Sequence, residues 1–344
     1  MDKVINLGIP HVGELIFKSI DTPGLIKCLE VSETWKVFAE NVLTKRWKGK
    51  MFQACQNGET KVVELLLERC NPEESELNIK DEDGWTAFFW ACNKGHKDVV
   101  KLLLDSSERI ELNARTNKGN TAFTTSCKNG HKDVVKLLLD YSERIELNTS
   151  NIKGNNAFMF ACYYGHKDVV KLLLDHSGSE NINFNAKNCV GNTGFMLACK
   201  KGCKDVVQLL LDHSDTRIEL NARNDYEYTA LIFACMDGQK DVVKLLLDNS
   251  ERIELNARTN NGRTAFLLAC ERGHKDVVKL LLDHSGSENI NFNAKNSFGN
   301  TGFMLACKKA CKDVVQLLLD HSDTRIELNA RNDYERTAFI FACM

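Results

Sequence analysis

Proline is nearly absent: the 344 residues contain three. No serine- or glycine-rich run is present either, so the composition of a disordered linker is missing. Charge of either sign is not in excess. The 45 basic residues face 47 acidic ones, which leaves no net field to draw in nucleic acid or an anionic membrane, and neither is expected as a partner. No apolar run approaches the ~18 residues that span a bilayer, and the opening Met1-Asp2-Lys3 has no apolar signal core. A cytoplasmic or nuclear chain is the expectation. Also missing are a Gly-rich phosphate loop, Gly-x-Ser-x-Gly and His-Glu-x-x-His. An enzyme is therefore not expected, and no cofactor is implied.

What is present is repetition. Gly95-His96-Lys97-Asp98-Val99-Val100-Lys101-Leu102-Leu103-Leu104-Asp105 returns almost unchanged from Gly130, Gly165, Gly238 and Gly273, with variants at Gly58, Gly202 and Ala310. The starts are 35 to 37 residues apart, a period that signals a solenoid of stacked units. Residues 176–236 and 284–344 are nearly the same text, as if a block of three units had been copied. The text ends at Met344, inside the first helix of a ninth unit. That helix is expected to lack cover for one face.

Each unit opens with a Gly-centred turn such as Asp83-Gly84. A short helix follows at 86–92, then a break at Gly95 and a longer helix at 97–105. Thr86, Thr121, Thr193, Thr229, Thr264, Thr301 and Thr337 stand where a hydroxyl caps the first helix. Val99, Val100, Leu102, Leu103 and Leu104 make a stripe too broad to bury on one side, so the second helix must lie between neighbours. Asp98 and its equivalents put a carboxylate at the positive helix end.

Nine of the 14 cysteines (Cys55, Cys92, Cys127, Cys162, Cys199, Cys235, Cys270, Cys307, Cys343) share one place in successive units. Stacked helices stand roughly 8–10 Å apart, beyond the ~7 Å Cα limit for a disulfide. These cysteines are expected to be small, reduced core residues. Cys199, Cys203 and His213, copied as Cys307, Cys311 and His321, have the residue types for zinc. Ten helical residues, ~15 Å, separate Cys203 from His213, too far for one ion, and no metal is expected. His96, His131, His166 and His274 share their place with Gln239, Cys203, Cys311 and Glu59. A catalytic role would not tolerate that exchange, so these side chains are expected to hydrogen-bond at the turn and helix start.

These residues resemble the ankyrin repeat, Gly-x-Thr-Pro-Leu-His-x-Ala-Ala-x-x-Gly-His followed by Val-Val-x-Leu-Leu, over residues 51–344. The family's Pro is Ala or Gly or another residue here, and its first His is Phe89, Thr124 or Met159. The resemblance implies an all-α solenoid of stacked ankyrin repeats, eight and a truncated ninth, over residues 49–344.

The N-terminal text is different. Ile9-Pro10, Glu14-Leu15, Ile16, Ile20, Asp21, Pro23, Leu25, Leu29, Val31-Ser32 and Trp35 resemble an F-box. Two short helices around a Pro23-Gly24 turn are expected, a third from Ser32 or Glu33, and continuous helix over 34–57. A small helical F-box-like domain at 1–48 would make the chain a substrate receptor of a cullin–RING ubiquitin ligase. Pro10, Leu15, Ile16, Ile20, Leu25, Leu29 and Trp35 would then dock the ligase adaptor subunit. The alternative is a helical cap on the first repeat, with the chain acting as a stand-alone scaffold or inhibitor.

Copies inside one chain also separate what builds the core from what is free to vary. The variable places are the turn tips and the residues just before the inter-helix Gly. The ankyrin resemblance implies that the same places line the binding groove. Trp85, Tyr163, Tyr164, Tyr226, Tyr228, Arg263, Arg272 and Phe298 are the expected contacts to a target protein, since Trp, Tyr and Arg anchor most interfaces.

Overall fold

The computed structural model describes residues 16–47, 50–69, 77–176, 182–213, 218–284, 289–320 and 326–343. Pro10, Leu15, His321 and Met344 lie outside them. Every regular element among the described residues is helical, and the chain divides into two compact units, residues 1–126 with 131–147 and residues 127–130 with 148–344. None of the described helices is long and apolar enough to cross a membrane.

In the first unit, helix α1 (Thr22–Cys28) and helix α2 (Glu33–Trp47) pack on each other. The first repeat supplies α3 (Met51–Asn57) and α4 (Thr60–Arg69); the second supplies α5 (Ala87–Lys94) and α6 (Lys97–Asp105). First helices stack on first helices and second on second, α3 on α5 and α4 on α6, while α2 lies against α4. Helix α7 (Ala122–Asn129) straddles the division, and α8 (Lys132–Asp140) packs on α6.

The second unit continues in the same pattern. Its first helices are α9 (Ala157–Tyr164), α11 (Gly194–Lys201), α13 (Ala230–Met236), α15 (Ala265–Arg272), α17 (Gly302–Lys308) and α19 (Ala338–Cys343). Its second helices are α10 (Lys167–Asp175), α12 (Lys204–Asp212), α14 (Lys240–Asp248), α16 (Lys275–Asp283) and α18 (Lys312–Asp320). Each row stacks in sequence order.

The caps expected at Thr86, Thr121, Thr193, Thr229, Thr264 and Thr301 form. Thr86 Oγ1 accepts from Phe89 N at 3.1 Å and Thr121 Oγ1 from Thr124 N at 3.2 Å. Where the fourth repeat has no threonine, Asn156 Oδ1 accepts from Met159 N at 2.9 Å. In the second helices from α6 to α16 two valines and two leucines are buried, as with Val99, Val100, Leu103 and Leu104, whereas α18 buries only Val314 and Leu318. Burying each contributes about 1.5–3 kcal/mol. Leu102 is only half-buried, so the stripe is one residue narrower than its apolar text.

Three expectations fail for local reasons. Pro23-Gly24 does not turn between helices: Asp21 caps α1, its carboxylate accepting from Gly24 N at 2.9 Å, and Pro23 takes the first turn, where no amide hydrogen is needed. The stretch 34–57 is not one helix, because α2 ends at Trp47 and Lys50, at φ −117°, precedes a fresh start at Met51. The cysteine series is fully buried from Cys55 to Cys270, but Cys307 is partly accessible and Cys343 is exposed. In α19, Phe341 is buried while Phe339 is 77% exposed.

The repeats are joined through backbone. The inter-helix glycines sit in the left-handed region, Gly95 at φ 78°, and the side chain after the corresponding glycine one repeat on reaches back to them. His131 Nε2 lies 2.8 Å from Asn93 O, and His96 Nε2 lies 3.0 Å from Gln56 O. A carbonyl only accepts, so Nε2 carries the proton. In the second unit His166 meets Lys128 O at 2.8 Å, Gln239 Nε2 donates to Lys200 O at 3.1 Å, and Cys203 Sγ lies 3.7 Å from Tyr163 O. His, Gln and Cys thus do one job. The bond is to the preceding repeat rather than to the local turn expected from sequence.

The residues before each turn form a second joint. Asn113 Nδ2 donates to Arg144 O at 2.9 Å, and its Oδ1 accepts from Glu146 N at 3.0 Å. Asn221 repeats this with Arg252 O at 2.8 Å and Glu254 N at 2.9 Å. One amide thereby closes a donor and an acceptor of the next repeat at once.

Candidate protein-binding face

Each turn tip is held by its own side chain. Asn224 Oδ1 accepts from Tyr226 N at 3.0 Å and Tyr228 N at 2.9 Å, and Asn224 Nδ2 donates to Asn192 Oδ1 in the preceding tip at 2.8 Å. Asn332 and Asn300 repeat that amide pair at 2.8 Å. Tips are also laddered by backbone, as Cys189 N to Lys153 O at 3.0 Å and Ser297 N to Asn261 O at 3.1 Å. The variable side chains therefore project from a rigid base.

In the first unit Trp85 is half-buried. It lies 4.3 Å from Trp90 and 4.9 Å from Phe89, centroid to centroid. Trp90 Nε1 donates to Asp81 Oδ2 at 3.1 Å, and Lys94 Nζ stands 5.8 Å over the Trp90 ring. Trp90, not singled out from sequence, is therefore part of the same aromatic cluster.

In the second unit Tyr163 and Tyr164 meet edge to face at 5.0 Å, and Tyr164 is 48% exposed. Lys128 Nζ lies 5.9 Å over Tyr164, and Lys201 Nζ 4.8 Å over Tyr163. A hydrogen bond with Tyr163 holds the Lys201 ammonium above its ordinary pKa. Tyr228 packs on Phe233 at 5.2 Å, with Lys200 Nζ 5.0 Å from the Phe233 ring. Tyr226 and Phe298 are exposed at 57% and 53%. Arg272 is exposed, but Arg263 is occupied: its Nη2 lies 3.5 Å from Glu271 Oε1.

Tyr226 and Tyr228 line one cleft of ≈380 Å³ with Val190, Lys200, Phe233 and Met236. The cleft brings together three of the variable positions and the buried Asn192–Asn224 pair. Phe233, Met236 and Val190 were missed, because each looks like ordinary core or turn text; only its place beside variable tyrosines marks it.

At the N-terminus, Leu25 is fully buried, while Ile16, Ile20, Leu29 and Trp35 are half-buried. Trp35 meets Phe17 edge-on at 5.5 Å. Val31 and Val37 are exposed at 56% and 50%. Ile26, Leu29, Lys36, Lys61 and Leu65 line a crevice of ≈360 Å³ between the N-terminal helices and α4.

The buried thiols carry no chemistry of their own. Burial pushes Cys55 up to about 12 and holds Cys92, Cys127, Cys162, Cys199, Cys235 and Cys270 well above the thiol range. Among the described residues no three His, Cys, Asp or Glu converge as metal donors.

A helix pair per repeat, backbone joints between repeats and a face of variable tip residues define a protein-binding solenoid. Residues 51–151, 141–224 and 216–296 match the family model of ankyrin repeats in three copies, and residues 298–333 match the single ankyrin repeat. The chain belongs to the ankyrin-repeat family. Among solved structures it is similar to the ankyrin repeat domain of Bcl-3, described as a unique member of the IkappaB protein family. The TM-score is 0.55 at 23% identity, covering 66% of this chain and 95% of that one, a likeness of fold. No curated protein sequence matches.

Proposed function

We propose that the chain captures a target protein on the face formed by the turn tips and the C-terminal ends of the first helices. Tyr163, Tyr164, Tyr226, Tyr228, Arg272 and Phe298 are its contacts in the second unit, and Trp85 in the first. The observation that carries this reading is the cleft under Tyr226 and Tyr228. Large side chains at variable positions stand on a rigid, amide-laddered base, which keeps the ordering cost of binding low. Arg263 contributes through Glu271 rather than as a free cation. The test is affinity capture from cell extract with wild-type protein and with Tyr164→Ala/Tyr226→Ala. Loss of the same captured proteins from the variant supports the face; equal recovery refutes it.

The N-terminal helices carry a second reading. Docking of a ligase adaptor through Pro10, Leu15, Ile16, Ile20, Leu25, Leu29 and Trp35 would make the chain a substrate receptor of a cullin–RING ubiquitin ligase. The exposed Val31 and Val37 favour it, since apolar side chains left in water mark a contact surface. The buried Leu25 and the seat of α2 on α4 favour a solenoid cap, and the chain as a scaffold or inhibitor. Full-length protein mixed with purified adaptor separates them. Binding lost in Val31→Glu/Val37→Glu supports the receptor, and no binding by well-folded protein leaves the cap.

A further inference from the structure

The two residues before the left-handed inter-helix position are not neutral in the second unit. Lys128, Lys200, Lys201, Arg272, Lys308 and Lys309 stand there, against Asp237 and Glu271, in a chain that is otherwise balanced. Glu271 is already spent on Arg263. Among the described residues none of the six cations is paired with a carboxylate; four lie over rings instead. Lys128 covers Tyr164, Lys201 covers Tyr163, Lys200 covers Phe233, and Lys308 lies 5.6 Å from the Phe341 ring. A ring face orients an ammonium without neutralising it, so the row presents fixed net positive charge, offset in part where Asp237 acts on Lys201. The cleft beside Lys200 is floored by Phe233, Met236 and Val190.

We infer that the partner is an acidic segment of another protein that crosses this row, with an aromatic or leucine side chain anchored in the Tyr226–Tyr228 cleft. The inference rests on the protein-binding reading above and adds the chemistry of the ligand. Successive first helices stand roughly 8–10 Å apart and an extended chain advances about 3.3 Å per residue. Lys128, Lys200 with Lys201, and Arg272 stand on every second first helix, roughly 16–20 Å apart, and Lys308 with Lys309 follows one helix beyond Arg272. Carboxylates about five or six residues apart therefore meet the alternating cations. Lys200 borders the anchor, and the hydrogen-bonded Asn192–Asn224 pair is part of the same cleft wall.

The test pans random phage-displayed peptides on immobilised full-length protein, then measures recovered sequences as labelled synthetic peptides by fluorescence anisotropy. Recovered peptides should be rich in Asp and Glu around one aromatic or leucine residue. Their affinity should fall at least about tenfold on Lys200→Glu/Lys201→Glu, with Lys200→Gln/Lys201→Gln intermediate and unchanged circular dichroism confirming the fold. Neutral or basic peptides whose binding is lost in Tyr226→Ala would overturn the acidic partner and leave the protein-binding face standing. Acidic peptides that bind the Lys-to-Glu protein equally, or an oligothymidine that binds wild type as tightly as they do, would also overturn it. A library yielding no binder dependent on Tyr226 or Lys200 removes both readings.

Discussion

Raising the pH should unfold this protein through its cysteines. Cys55, Cys92, Cys127, Cys162, Cys199, Cys235 and Cys270 are each 0% exposed, and burial holds their folded-state pKa far above the ordinary 9.0. A protonated thiol is neutral, so the folded chain keeps these protons at a pH where the unfolded chain sheds them. The stability they contribute is whole below pH 9.0 and is lost as pH rises beyond it. From pH 8 to about 9.5 the loss is roughly 0.8 kcal/mol per thiol, or about 5 kcal/mol for all seven if the chain unfolds in one step. That is comparable with the whole stability of many domains. Urea titrations under a phosphine reductant, followed by circular dichroism at the two pH values, measure it. Cys162→Ala/Cys199→Ala should be less stable at pH 8 yet lose about 1.6 kcal/mol less on going to pH 9.5. Equal pH slopes for the variant and the wild type would refute the reasoning.

Other perturbations read the joints and caps. His131→Ala should cost about 1–2 kcal/mol in urea, because Asn93 O loses its donor, and His131→Gln should recover at least half, as Gln239 makes the same bond. Gly95→Ala should cost about 2 kcal/mol or more, since φ is 78° and the new Cβ would lie 2.7 Å from His131 Nδ1. Ala310→Gly, at φ 53°, should gain about 0.5–1 kcal/mol in the same assay. Thr86→Ala should lose about 1 kcal/mol in that assay, with Thr86→Asn much milder, since Asn156 is a working cap. A maleimide probe on the native protein should label Cys189, which is exposed, and leave Cys162 untouched until urea is added.

Much of this was legible because repetition turns one chain into its own comparison. The period, the threonine caps and the aliphatic second helices follow from local chemistry. Such features are decided within one unit. What could not be read depends on the neighbouring unit. The histidines look like turn formers, and their carbonyl partner lies 38 to 40 residues upstream. Asn113 and Asn221 look like loop filler until the next repeat supplies Arg144 and Arg252. Arg263 has the chemistry of an exposed anchor, and only the fold brings Glu271 to it. The cleft has the same origin: Val190 and Lys200 come from one repeat, Tyr226 and Tyr228 from the next and Asn260 from the one after, so no short window of sequence contains it.

The joint between repeats asks very little of its upstream half. The acceptor at Gln56, Asn93, Lys128, Tyr163, Lys200, Met236 or Glu271 is a peptide oxygen, which all twenty amino acids carry. The socket is therefore blind to the residue that forms it, and one plug fits every predecessor. Repeats can be reordered, lost or duplicated by unequal recombination without a compensating change at the seam. The paired texts at 176–236 and 284–344 are the expected residue of such an event, and the residue whose oxygen serves as socket stays free to diversify its side chain toward whatever the protein is selected to hold.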